Sequence, residues 1–115
     1  MCGIVAQAQI PAMSTYANHC AGVSPNTLWQ ISTNVTLTMT IDTSECSFTD
    51  TPFYLVSLGG TADHFCVTGY DGVFLPTKQS FQIYIQPTCG GWTANMMLSS
   101  ATAFEWNVNW VGFNK

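Results

Sequence analysis

Arginine is absent from this 115-residue chain and lysine occurs only twice. Nucleic-acid binding rests on neutralising phosphates with those side chains, so a chain of net charge −4 without arginine is a poor candidate for it. The same deficit argues against anionic membrane surfaces. No apolar run approaches the roughly 20 residues of a membrane-spanning helix. The longest clean ones, such as "FYLV", have the length of a strand. There is no G-x-S-x-G, no H-E-x-x-H and no phosphate-cradling glycine loop. Histidine occurs only at His19 and His64, so acid–base chemistry has few donors, and a set such as Ser57, His64 and Asp71 lacks any supporting motif. The expectation is a protein that is not an enzyme and needs no cofactor.

Charged residues make up 7% of the chain, against about a quarter in ordinary soluble domains. With 47% apolar residues it must nevertheless build a core, so solubility falls to neutral polar groups, to glycans or to burial in an assembly. Five cysteines, Cys2, Cys20, Cys46, Cys66 and Cys89, are widely spaced with no C-x-x-C pair. That pattern suits disulfides in an oxidising compartment and gives at most two bridges within the chain, leaving one thiol over. The first residues carry no basic n-region or long h-region, as expected of an excised domain or of a chain whose leader has been removed. Asn34, Val35 and Thr36 form a single N-glycosylation sequon.

Over residues 29–42 apolar and polar residues alternate. Trp29, Ile31, Val35, Leu37, Met39 and Ile41 share one face, while threonines and Asn34 occupy the other. Period two predicts a half-buried antiparallel strand with Asn34 pointing outward. "FYLVSL" reads as a strand buried on both faces, at the middle of a sheet or at a subunit contact, and Gly59 with Gly60 ends it. "HFCVTGY" and "GVFLP" read as short strands around a "YDG" turn, and "FQIYIQ" alternates again. "ANMML" reads as one more strand and "FEWNVNWVGF" as the last, with Trp106, Val108 and Trp110 inward and Asn107 and Asn109 outward. Residues 1–28 read as an arm or loop segment packing on or between subunits, and "CGIVAQAQI" within them as an edge strand or short helix. The predicted architecture is a single all-β antiparallel sandwich of about six to seven strands over residues 29–115.

Trp92 stands in the glycine-flanked loop "PTCGGW", where an aromatic held out of the core can stack on a sugar or enter a neighbouring subunit. The bland alternative folds it back over the end of the sandwich. Asp63, His64 and Cys66 lie within "DHFC", close enough to suggest a metal site, although a disulfide cysteine and a surface histidine explain them equally simply. Asp42, Glu45 and Asp50 could gather calcium, but they follow no fixed ligand register and read as a solvated turn. No metal site is expected.

The segments "CSFTDTPFYLVSLGGTADHF", "VTGYDGVFLPTKQSFQIYI" and "WNVNWVGF" together resemble the H-type lectin fold of snail agglutinins and the C-terminal discoidin domain, and secreted protist domains with similar motifs. The likeness covers about residues 42–113. It implies a six-stranded sandwich assembled into trimers, binding galactose-type sugars through loops at one end and between subunits. The snail-type site uses an aromatic–histidine pair just after the strand equivalent to "FQIYI", with an arginine and an acid. Here the loop is longer, carries Trp92, and has neither the histidine nor the arginine, so the aromatic and the loop position are what carry over.

Two functions follow as expectations. One is a secreted, self-associating lectin-like module, with Trp92 as stacking platform and Asn95, His64 or Asp63 bonding glycan hydroxyls, single sites being amplified by homo-oligomerisation. The other is a structural subunit of an extracellular filament or coat, its uncharged surfaces hidden between protomers and "CGIVAQAQI" added to a neighbour's sheet edge.

Overall fold

The computed structural model describes residues 18–115 and, before them, the backbone of three two-residue strands, Val5–Ala6, Ala8–Gln9 and Ser14–Thr15. Cys2 lies outside the described residues, as does most of the "CGIVAQAQI" segment expected to add to a neighbour's sheet. The sandwich strands are β1 (Ser14–Thr15), β2 (His19–Ser24), β3 (Gln30–Thr33), β4 (Thr36–Asp42), β5 (Phe53–Leu58), β6 (Val67–Thr68), β7 (Ser80–Pro87) and β8 (Val108–Phe113). One helix, α1 (Ala94–Ala103), precedes β8. Two four-stranded sheets form, with orders β1-β2-β8-β5 and β3-β4-β7-β6, and every pairing within them is antiparallel.

The core follows the period-two reading. Leu37, Met39 and Ile41 of β4 pair with Ile85, Ile83 and Phe81 of β7, all essentially inaccessible, and face Val108 and Trp110 from β8. Strand alternation puts each second residue on the inner face, so a run of five such residues delivers three to the core. Contact between layers is tight at Gly112, where a Cβ would lie 2.7 Å from the Phe48 ring. Glycine there is what lets Phe48 pack against β8. Trp106, Val108 and Trp110 are all buried, as their alternation predicts.

The local structure departs from the sequence reading in several places. The strand expected over residues 29–42 is a hairpin that turns at Asn34 and Val35, with Thr33 opposite Thr36. The two-residue turn alone would invert the alternation, since Thr33 lies opposite Thr36, but a register shift between Ile31 and Thr33 sets Ile31 opposite Leu37, so odd-numbered residues again share a face and the pattern reads as one strand. Ile31 and Val35, expected inside, are both 48% exposed. "ANMML" opens α1 rather than a strand: Thr93 caps the helix by accepting from the Met96 N–H, and Ala94, Met97 and Ala101 are buried at helical spacing against β3 and β4.

"FYLVSL" is an edge strand among the described residues, where β5 pairs with β8 alone, and its outward residues Phe53, Leu55 and Ser57 are exposed. "HFCVTGY" forms a 3₁₀ turn, His64–Cys66, followed by the two-residue β6, and "GVFLP" contributes one bridge, between Phe74 and Gln82. β2, expected within the arm of residues 1–28, is an inner strand between β1 and β8, so the sandwich includes chain before residue 29.

Two disulfides form, Cys20 with Cys46 and Cys66 with Cys89, as many as five cysteines allow. Among the described residues, no helix is long and apolar enough to cross a membrane.

Candidate functional site

At the end of the sandwich where β5 stops and β8 begins, the backbone after β5 is laced to the backbone before β8. Gly59 N–H donates to the Asn107 carbonyl at 2.9 Å and Thr61 N–H to that of Phe104 at 2.8 Å. Trp106 lies beneath, fully buried, with its indole N–H donating to the Ala62 carbonyl at 2.8 Å. Its own carbonyl accepts from the Trp29 indole at 3.0 Å. Buried indoles keep their N–H groups bonded, and both do so here. At Gly60 a Cβ would lie 2.7 Å from the Trp106 ring and 3.1 Å from His64 Nδ1, so only glycine lets this segment run between the two side chains.

Trp92 sits above Trp106, with interplanar angle 4° and ring centroids 6.4 Å apart. It is half-buried, so part of the indole remains on the surface while Trp106 fixes its plane. Asp63, in the left-handed region at φ 65°, opens the 3₁₀ turn His64–Cys66. That turn is tied to the Trp92 loop by the Cys66–Cys89 disulfide. Two hydrogen bonds from Thr88 reinforce the tie, N–H to the Cys66 carbonyl at 2.7 Å and hydroxyl to the Phe65 carbonyl at 3.3 Å.

Asp63 and His64, with Trp92, thus belong to one braced group around Trp106. Phe65 joins them at 78% exposure, an aromatic that the sequence reading did not single out. Its only local signal is its place between His64 and Cys66. Asn95 is exposed on the first turn of α1, and no hydrogen bond connects it to the other three candidates among the described residues.

His64 Nδ1 is buried and has no hydrogen-bond partner. The Gly60 segment covers this atom, so the part of the ring open to a ligand is its other edge. A half-exposed flat ring, a second exposed ring, a carboxylate and an imidazole edge can together take a ligand with both an apolar face and hydroxyl groups. Cys66 is engaged in its disulfide, and no cluster of three or more His, Cys, Asp or Glu fit to hold a metal occurs among the described residues. Asp42 instead accepts from the Ser44 N–H in its own turn, at 2.9 Å. Ser57 faces outward on β5, where the Asn109 amide reaches its hydroxyl at 3.3 Å.

Asn34 is exposed at the hairpin turn, and its carbonyl accepts from the Ala94 N–H at 2.7 Å, which sets the sequon beside the start of α1. The sequon's Thr36 hydroxyl contacts that of Thr33 across the turn. Asn109 points outward, whereas the Asn107 side chain turns to Asn26 and accepts from both its backbone and side-chain N–H groups at 2.9 Å. Away from this end, a shallow groove of about 280 Å³ lies along β5 and β8, lined by Leu55, Ser57, Asn109 and Val111 among others. The chain matches no protein-family model, no curated protein and no solved structure.

Proposed function

We propose that this chain is a non-catalytic, extracellular, lectin-like module that binds carbohydrate at the Trp92 end of the sandwich. The observation that carries the reading is the parallel seating of half-buried Trp92 on buried Trp106, in a loop tied by Cys66–Cys89 to the turn bearing Asp63, His64 and exposed Phe65. A sugar presents C–H groups on one face and hydroxyls at its rim. The indole takes the face, and Asp63 and His64 bond the rim. The resemblance of residues 42–113 to H-type lectins supports the same reading, as does the loop's position after β7. Two disulfides suit an oxidising compartment.

Glycan-array retention followed by calorimetric titration of the retained sugar tests it. Trp92→Ala is expected to weaken binding by about tenfold or more while the fold persists, the loss of a stacked ring being worth about 1.5 kcal/mol. Retention that is unchanged in Trp92→Ala, or no retention of any glycan, rejects the reading.

A second reading, a subunit of an extracellular filament or coat, is favoured by the sparsely charged surface and by the β5 edge, which has no second neighbour among the described residues. Electron microscopy of the native material separates the two, since extended polymers support the second and discrete particles oppose it.

A further inference from the structure

The chain's few charges are unevenly divided along the sandwich. There is no arginine, and both lysines stand a strand length from the Trp92 end. Lys78 precedes β7 and the Trp92 loop follows it, so the eight residues Ser80–Pro87 separate them by about 26 Å. Lys115 follows β8 and Trp106 precedes it, with the six residues Val108–Phe113 between, about 20 Å. Lys115 Nζ is also engaged, 4.9 Å over the Phe53 ring at the start of β5. Asp42, Glu45 and Asp50 share that end with the lysines, and Asp71 lies in the turn after β6.

The Trp92 end carries acids without lysine or arginine. Asp63 opens the turn that Cys66–Cys89 ties to the Trp92 loop. Glu105 is exposed and stands between Phe104, whose carbonyl accepts from the Thr61 N–H at 2.8 Å, and Trp106, the ring beneath Trp92. The two carboxylates therefore come from the two backbone stretches laced together over Trp106. At ordinary ionic strength charge is screened over about 10 Å, so the distant lysines do little to offset them.

We propose that Glu105 and Asp63 select the charge of the sugar, the Trp92 site preferring a hexosamine with a free amine, as its ammonium, to the N-acetylated sugar, and either of these to the N-sulfated one. The proposal rests on the carbohydrate reading and adds a ligand class to it. An ammonium group finds carboxylates with no competing cation and an indole face that attracts positive charge. An acetamide brings no charge for either to act on. A sulfate group meets two like charges and lacks the basic side chain that sulfate recognition calls for. Each exposed charge pair is weak, but both acids act in the same direction. Glu105 takes no part in the stacking or the rim hydrogen bonds proposed above, so its charge can be changed apart from them.

The test is calorimetric titration of the full chain with tetramers of glucosamine, N-acetylglucosamine and N-sulfoglucosamine. Low salt, about 20 mM, keeps the field unscreened. At about pH 7 an amine is mostly charged and an ordinary imidazole mostly neutral. The amine is expected to bind about fivefold tighter than the N-acetyl form, and the N-sulfo form about fivefold weaker. Glu105→Gln should reduce the preference for the amine to about twofold, and Glu105→Lys should place the N-sulfo form above it. Trp92→Ala should weaken the amine with the others. Glu45→Gln removes the same charge at the far end and should leave the preference intact.

Equal affinities for the three sugars, or a reversed order, overturn the selection while leaving the carbohydrate reading standing. Equal losses of preference in Glu45→Gln and Glu105→Gln overturn it too, since the chain's net charge would then be the cause. So does amine binding that survives Trp92→Ala in full. Binding of none of the three removes the ligand class, and only the absence of every glycan from the array removes the carbohydrate reading with it.

Discussion

The two ends of the sandwich use one device for opposite purposes. At each, a cysteine closes a 3₁₀ turn, Cys46 after Ser44 and Cys66 after His64, and a disulfide anchors that turn. Cys46 is tied to Cys20 in the inner strand β2, so its turn is pulled onto the core. Phe48 just beyond it is buried and meets Tyr54 edge-on at 82°. Cys66 is tied to Cys89 in a loop, and Phe65 beside it stands in solvent. The polar atoms follow the same division. Tyr54 Oη lies 2.8 Å from the buried Thr43 hydroxyl and donates to the Thr77 carbonyl at 2.7 Å, whereas His64 Nδ1 at the other end is buried without a partner. At the first end the turn's aromatic packs inward and the buried hydroxyls are bonded, whereas at the second the turn's aromatic stands outside and one buried polar atom has no partner.

The largest expected effect strikes the base of the open end. Trp106→Ala removes a fully buried indole and its bond to Ala62, and should cost about 4 kcal/mol in urea unfolding. It also removes the ring that Trp92 lies on, so stability and glycan retention should fall together.

Removing either disulfide comes next and tests the comparison directly. Their sequence separations, 26 and 23, predict nearly equal losses of about 3.5 kcal/mol each from loop entropy. The difference should appear in binding. Cys66→Ala with Cys89→Ala frees the Trp92 loop and should weaken glycan retention, while Cys20→Ala with Cys46→Ala should leave it unchanged in protein that is still folded. Equal effects on binding from both pairs would dissolve the distinction between the ends.

How far this was readable beforehand depends on whether the signal is local. The alternation of Leu37, Met39 and Ile41, of Phe81, Ile83 and Ile85, and of Trp106, Val108 and Trp110 marks the core correctly, because strand period and burial are the same fact. The hairpin at Asn34 escapes that reading, since the register shift between Ile31 and Thr33 undoes the phase inversion of the two-residue turn. α1 was readable in principle from Thr93 as cap and from the spacing of Ala94, Met97 and Ala101, but the brief "ANMML" also suits a strand.

At the candidate site, Trp92 is marked by its flanking glycines, and Asp63 and His64 by their crowding with Cys66. Phe65 carries no such mark, because its exposure depends on a 3₁₀ turn standing where a strand was expected. Trp106 supports Trp92 and bonds a carbonyl 44 residues away, and no window on the sequence brings those partners together.

The smallest effect belongs to the closed end and is the most specific. Burial raises the Tyr54 phenol above its ordinary value of 10.0, against a smaller lowering by its hydrogen bond with Thr43. As the pH rises past 10.0, the unfolded chain gives up this proton before the folded one does, so the unfolded state binds fewer protons and stability falls with pH. The contribution is whole below that pH and is lost as the pH climbs towards the folded value. Tyr54→Phe should cost about 1 kcal/mol at neutral pH, because it leaves Thr43 and the Thr77 carbonyl without the hydroxyl. In exchange it should flatten the alkaline limb of the stability profile. Parallel profiles for the variant and the parent between about pH 9 and 11 would mean that Tyr54 titrates as it does in the unfolded chain. The closed end would then be wetter than its burial implies, and the contrast with the Trp92 end correspondingly weaker.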